Sequence, residues 1–309
     1  MCRFLAYQGK PIRLDELLYK PKNSLIRQSA QAHEAEEPLN GDGFGVGWYT
    51  PEVNQEPGLY VSIRPAWNDR NLRYLSQHIM THSFCAHVRA ASEGEVSESN
   101  CHPFHFGDYL FMHNGGIGDF LKVKRRVRRG LSDEIYDWIR GQTDSEHLFA
   151  LILEKIKAHV GKVDVRVLAQ ALKETVGEVQ KLKAEHGVTE PCYINCVLSN
   201  GSNMVAVRYV SDPIETPSTL YYSLGESYVC KDGVCYMVPG KPQSVLVVSE
   251  KLNDIGKDWT PIPANHMLLV DEKMQTQLLP IGPQASASSQ PKADQSSKGF
   301  RPSRHRRSG

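Results

Sequence analysis

A cysteine stands directly behind the first methionine, in "MCRFLAYQ". A small residue at position 2 lets that methionine be trimmed, which would leave Cys2 with its thiol and a free α-amino group. An α-amine with an ordinary pKa of about 7.7–8.0 is partly neutral near pH 7. One residue would then carry a nucleophile and a weak base together. Three other stretches hold groups that could complement it. In "FMHNGGIGDF", Asn114 and Gly115 offer a side-chain amide and a backbone N–H. Two such donors are what a tetrahedral oxyanion needs, although Asn-Gly-Gly at a strand end is also a turn by default. In "FCAHVRAAS", Arg89 lies just beyond an apolar run. A guanidinium there can clamp a carboxylate through two parallel hydrogen bonds, or form a structural salt bridge. In "QTDSEHLF", Thr143 and Glu146 have capping-box spacing, and Asp144 falls in the first helical turn, where a carboxylate could hold an ammonium.

Together these groups suit one kind of substrate. A zwitterionic amino-acid head would meet Arg89 and Asp144, and a cleavable acyl carbon would meet Cys2 and the Asn114/Gly115 donors. Glutamine, or any γ-glutamyl compound, has that form. Other candidates carry less. "LNGDGFGVGWY" places glycines at 41, 43, 45 and 47 beside a strand, either a strand kinked by glycine or one passing beneath a bound small molecule. No helix follows, so it is not a dinucleotide fingerprint. His87, His102 and His113 lie near these motifs, but an α-amine base makes them unnecessary, and they read as structural. Cys192/Cys196 and Cys230/Cys235 lack the tight pairs and supporting histidine of a zinc site, and read as buried or incidental thiols. No metal site is expected.

The elements that must position these residues run as strands, then helices, then strands. "CRFLAYQ", "FGVGWYT", "GLYVSIRP", "FCAHV" and "YLFMHN" are strand candidates bounded by Gly, Pro, Asn or Asp. "NDRNLRYLSQHI", "SDEIYDWIRG", "TDSEHLFALILEKIKAHVG" and "VRVLAQALKETVGEVQKLKAEHG" carry helical apolar spacing, and the last three stop at glycine. "CYINCVLSNGSNMVAVRYV" reads as a hairpin about Asn200-Gly201. "TLYYSLG", "SVLVVSE", "HMLLVDE" and "TQLLPI" complete the second set of strands.

Composition narrows the class further. With 40% hydrophobic and 23% charged residues the chain is of ordinary globular type, and no run approaches the roughly 18 apolar residues of a membrane span. Charge follows too soon after the N-terminus for a signal peptide, so a cytoplasmic protein is expected. From Gly282 onward six Lys/Arg stand against Asp294 in a Ser/Gln/Pro-rich segment, read as a disordered basic tail over 282–309 behind a single domain over 1–281. "KVKRRVRRG" has Val123 and Val127 four apart and no interleaved aromatics, so it reads as a helix with a solvated basic face and not as a nucleic-acid surface.

As an ordered set, "MCRFLAY", "NGDGFGVGWY", "PAWND", "AHVRAAS", "SNCHPF", "MHNGGI" and "TDSE" resemble the class II glutamine amidotransferases, which are N-terminal-nucleophile hydrolases, over roughly residues 1–280. The resemblance implies an α+β fold, a four-layer αββα sandwich. It also implies roles: Cys2 as nucleophile, Asn114 and Gly115 as the oxyanion pair, Arg89 for the substrate α-carboxylate and Asp144 for its α-ammonium. Within the family, "GKPIRL", "PAWN" and "SNCHPF" look most like the free-standing branch, in particular the amidotransferase-like subunit of the fungal glutathione-degradation complex. Two departures from synthetase-coupled members favour hydrolysis over ammonia transfer. Ala90 follows Arg89 where those carry a bulky aromatic, and no synthase domain follows residue 281. The expected reaction is cysteine-dependent hydrolysis of a γ-glutamyl amide, glutathione or a relative, through a γ-glutamyl thioester, without metal or organic cofactor. A glutaminase subunit feeding a separate synthetase and a catalytically silent binding protein are the alternatives. A peptidase or synthetase partner subunit and the oligomeric state stay open, and neither nucleic acid nor membrane is an expected partner.

Overall fold

The computed structural model describes residues 2–35, 37–91 and 94–281, so the basic tail expected over 282–309 lies outside the described residues. Its strands are β1 (Arg3–Arg13), β2 (Phe44–Thr50), β3 (Asn54–Ser62), β4 (Met80–Val88), β5 (Phe104–Phe106), β6 (Tyr109–Ile117), β7 (Cys192–Ser199) and β8 (Met204–Val210). These are followed by β9 (Tyr221–Gly225), β10 (Ser227–Lys231), β11 (Val234–Val238), β12 (Ser244–Val248), β13 (Thr260–Pro261), β14 (His266–Val270) and β15 (Thr276–Pro280). The helices are α1 (Leu14–Leu18), α2 (Leu25–Ala30), α3 (Arg70–Ser76), α4 (Phe120–Arg129), α5 (Asp133–Trp138), α6 (Asp144–Lys157) and α7 (Val165–Glu185).

The layering follows from strands that are apolar on both faces. In β1, Leu5 and Tyr7 point one way and Phe4 and Ala6 the other, and all four are buried. Such a strand must be covered twice. It lies in the middle of a seven-stranded antiparallel sheet of order β13-β9-β12-β1-β4-β2-β3. A second antiparallel sheet has the order β15-β14-β8-β7-β6-β5. Phe4, Ala6, Cys85, Val245 and Val247 of the first sheet meet Leu110, Met112, Val197, Ala206 and Leu268 of the second, forming the layer between them. The outer face of the first sheet packs on Leu14, Leu17, Leu25 and Leu72 of α1–α3 and on the β10–β11 hairpin. The outer face of the second packs on Val123 and Val127 of α4 and on the apolar stripes of α6 and α7. The result is the expected α+β sandwich, αββα.

Several local readings are corrected. "HNGG" is no turn, because β6 runs through it to Ile117 and pairs with β7 along its whole length. The side-chain alternation of a strand, not turn chemistry, therefore decides where Asn114 points. α5 ends at Trp138, before Gly141. The thiols of Cys230 and Cys235 are joined in a disulfide. Asp232 and Gly233 both take positive φ (52° and 79°), the tight hairpin conformation that sets the two cysteines directly opposite in the β10–β11 ladder. The glycine alternation in β2 serves neither a kink nor a ligand. A Cβ at Gly45 would collide with the His102 carbonyl oxygen, and one at Gly47 would sit 2.7 Å from Leu110. These glycines make room for the chain that leads into the second sheet. The substitution Gly45→Ala is therefore expected to destabilise the protein by about 1–3 kcal/mol through overpacking against backbone. Urea denaturation reads this directly, and an unchanged midpoint would contradict the packing.

Candidate active site

Register puts Cys2 in place. Arg3 pairs with Val88, so the residue before β1 lies against the residues that follow β4. The Cys2 thiol donates to the Ala90 carbonyl at 3.3 Å, and the Ala90 N–H points back at Sγ at 3.4 Å. The Asn-Gly-Asp-Gly loop holds this segment from the other side. Arg89 N–H donates to the Gly43 carbonyl (2.8 Å), Asp42 N–H to the Arg89 carbonyl (3.0 Å), and Ala91 N–H to the Asp42 carboxylate (2.8 Å). The Arg89 side chain is buried, with Nη1 donating to the Glu95 carbonyl at 3.1 Å.

The opposite wall comes from β6 and α6. Asn114 shares the inward face of β6 with Leu110 and Met112 and is 2% exposed, and its amide Nδ2 has no hydrogen-bond partner among the described residues. Gly115 has φ of 152°, and a Cβ there would run into the Tyr193 carbonyl oxygen, so only glycine fits. Asp144 opens α6. One carboxylate oxygen accepts from Ile117 N–H at 2.6 Å and the other from the Ser145 hydroxyl at 3.2 Å, so the group is oriented by two elements at once. The helix N-terminus favours its charge.

The capping box is only half formed. Thr143 Oγ1 accepts from Glu146 N–H at 3.3 Å, but the Glu146 carboxylate turns away to accept from Arg140 and Gly141 N–H (2.8 and 2.8 Å). This fastens the turn ahead of Asp144. Asn100, in "SNCHPF", ties the two walls together. Its amide donates to the Glu95 carbonyl beneath Arg89 (2.9 Å), and its oxygen accepts from Gln142 N–H (3.1 Å). Sequence reasoning missed Asp42 and Asn100 as supports, because each bonds backbone far away in the chain, and it read Glu146 as the partner of Thr143 when its carboxylate instead fastens the preceding turn.

All five expected site residues, Cys2, Arg89, Asn114, Gly115 and Asp144, line one cavity of about 350 Å³. Burial pushes the Cys2 thiol up, against the opposing pull of the Ala90 hydrogen bond and of Arg89 and Arg3, so it is protonated at neutral pH until a base takes the proton. His113 is satisfied at both nitrogens, by Ser145 Oγ (2.8 Å) and by the Tyr193 carbonyl (3.1 Å). Burial holds its pKa below the usual histidine range, opposed by Asp144. A neutral ring that donates from Nε2 to the carbonyl leaves Nδ1 as an acceptor, so the one Ser145 hydroxyl proton is shared between Nδ1 and the Asp144 carboxylate. Among the described residues no cluster of three or more His, Cys, Asp or Glu could hold a metal ion, and no helix is long and apolar enough to cross a membrane.

Comparison with known proteins places this geometry. Residues 24–216 match the family model of the class-II glutamine amidotransferases. The chain is 36% identical over 300 residues to the probable glutamine amidotransferase DUG3 of Saccharomyces cerevisiae, covering 90% of this chain and 84% of that one. It is 25% identical over 270 residues to the gamma-glutamyl-hercynylcysteine sulfoxide hydrolase of Mycolicibacterium smegmatis, covering 87% and 95% of the two chains. A glutamine aminotransferase class-II domain protein from Silicibacter pomeroyi superposes with a TM-score of 0.64 at 28% identity, over 91% of this chain and all of that one. The glutamine phosphoribosylpyrophosphate amidotransferase of B. subtilis shares the fold at a TM-score of 0.58 and 12% identity, across 91% of this chain and 49% of its own. On the family match and the extent of these likenesses, the chain belongs to the class II glutamine amidotransferases.

Proposed function

We propose that the protein hydrolyses a γ-glutamyl amide, glutathione or a related γ-glutamyl compound, through a thioester on Cys2. One observation carries the reading: a single cavity holds a half-buried thiol, a buried amide donor without a protein partner, and two opposite charges at Arg89 and Asp144. Arg89 takes the α-carboxylate of the glutamyl head and Asp144 its α-ammonium, which aims the γ-carbonyl at Sγ. Trimming of Met1 gives Cys2 its own amine, and a thiol held up by burial needs such a local base. The amine takes the thiol proton as sulfur attacks. Asn114 Nδ2 and the Gly115 N–H hold the oxyanion, and the leaving amine departs protonated. Water then attacks the thioester, glutamate leaves, and the thiol is restored. The name of the mycobacterial relative describes hydrolysis of a γ-glutamyl compound, which supports this class of reaction, whereas the name of the yeast relative supports the second reading, ammonia release from glutamine.

The two readings part on substrate. Glutamate release from glutathione and from glutamine is measured side by side, on protein whose mass shows Met1 gone. A preference for glutathione is expected, and a preference for glutamine would favour the ammonia-donating role instead. Three substitutions test the machinery. Cys2→Ser should lower kcat by at least about a thousand-fold without loss of fold, as removal of a nucleophile does; near-normal turnover would sink the mechanism. Asn114→Ala should lower kcat by about 10²–10³-fold with KM little changed, since its amide acts on the oxyanion. Arg89→Ala should act on binding, removing about 3–5 kcal/mol from kcat/KM by leaving a desolvated carboxylate unpaired, and an unaltered KM would remove Arg89 from its assigned place.

A further inference from the structure

Two side chains of the cavity region have no task in that mechanism. His87 on β4 and His102 lie against each other with ring centroids 4.4 Å apart and planes inclined by 32°, and His102 meets Phe104 at 4.5 Å with planes inclined by 57°. Both are buried; neither ring nitrogen of His102 has a hydrogen-bond partner among the described residues, and His87 meets only the His113 backbone, outside ordinary hydrogen-bond geometry. These tilted ring contacts offer the imidazoles no hydrogen-bonding group, so the His102 nitrogens remain to be satisfied. A buried polar group left without a partner is costly, so a phenyl ring would fill this space more cheaply. Proteins settle such groups with ordered water or with ligand.

Their position says which water. His87 pairs with Phe4 of β1 and Gly45 of β2, so it faces the gap between the sheets, and the His102 backbone packs over that same Gly45. Asn114 enters the same gap from the other sheet. His102 and Asn114 both border the cavity that holds Cys2. Burial holds His87 down to about 3 and His102 well below the usual range, with Arg89 repelling both, so each ring is neutral. A neutral imidazole has one donor edge and one acceptor edge, the pattern that orients a water molecule. With Arg89 and Asp144 given to the glutamyl head and Asn114 to the oxyanion, the reactant still without a holder is the water of the second half-reaction.

We propose that His102, backed by His87, holds the water that hydrolyses the γ-glutamyl thioester. This rests on the thioester reading. The acceptor nitrogen of His102 takes a hydrogen bond from the water, and the water oxygen attacks the thioester carbonyl carbon. Its other proton passes to the Cys2 α-amine, the carbon–sulfur bond breaks, and the sulfur recovers that proton as glutamate leaves. No oxidant or further reactant is needed. His102 touches the reacting water, and His87 acts through His102.

The test separates the two half-reactions. His102→Phe keeps a ring in this space and removes both edge nitrogens. Release of the leaving group in the first turnover should stay within about twofold of wild type, while steady-state glutamate release falls roughly 10–100-fold. The thioester should accumulate in the intact mass, and hydroxylamine should restore turnover as the γ-glutamyl hydroxamate, because an added nucleophile bypasses the water site. His102→Gln returns a polar edge and should recover part of the loss. Equal slowing of both half-reactions, or no accumulation of thioester, overturns the proposal. Should the Phe variant fail to fold, a high-resolution crystal structure of the Cys2→Ser protein decides: an ordered water bonded to His102 supports the site, and none there overturns it. A wild-type chain that forms no thioester with glutathione or glutamine overturns the underlying reading, and this proposal with it.

Discussion

The site depends on β1 being a central strand. A chain terminus normally frays, yet here the third residue is already paired with Val88, and the strand has β4 on one side and β12 on the other. Both faces are buried, so a slip by one residue would turn Leu5 and Tyr7 into the gap and Phe4 and Ala6 out to the helices. The register that avoids this is the one that lays Cys2 against Ala90. A thiol at the start of a chain is thereby held as firmly as a residue in the core, with no element devoted to holding it.

The walls around that thiol are tied to one another more than to solvent. Asp42 fixes the backbone at Arg89 and Ala91, Asn100 links the floor beneath Arg89 to the turn ahead of Asp144, and Glu146 fastens that turn. These bonds run between buried polar groups and backbone, where a lost partner leaves a desolvated group behind. The opposite charges of Arg89 and Asp144 thus stand in set positions, and under the proposed reading a substrate head would meet a preformed pair instead of collecting two mobile side chains.

The five residues that the structure gathers in one cavity were legible as candidates in the sequence because each belongs to a compact motif whose chemistry is local: a thiol at position 2, an amide next to glycine, an arginine after a strand, an aspartate in a first helical turn. The layers were legible because β1, β6 and β12 are apolar on both faces and α4 and α7 on one, whereas α6 is buried at every position from Asp144 to Leu153, more deeply than a one-face stripe conveys. What stayed hidden depends on contacts across the fold. Gly45 and Gly47 read as a glycine kink or as a strand beneath a ligand until His102 and Leu110 are seen to occupy the space. Asn114-Gly115-Gly116 read as a turn because those residue types favour one, and pairing with β7 overrides that preference. The Cys230–Cys235 bond required the positive φ of Asp232 and Gly233, which spacing alone does not specify.

One physical condition joins the thiol, the oxyanion donors and the histidines. Removal of water from the cavity wall raises the Cys2 thiol and keeps His87 and His102 uncharged, both of which oppose charge formation there. The same low dielectric makes a fixed dipole worth more than it is in water. On the proposed mechanism, a site of this kind is quiet until a substrate supplies the carbonyl on which charge can develop. A thiolate formed beforehand would be exposed to oxidation and alkylation, whereas a thiol that yields its proton only as the carbon–sulfur bond forms is protected between turnovers. On that mechanism, the burial that opposes ionisation of Cys2 and the Asn114 and Gly115 donors that would reward an oxyanion are two halves of one arrangement, in which reactivity would appear with the bound substrate and leave with the product.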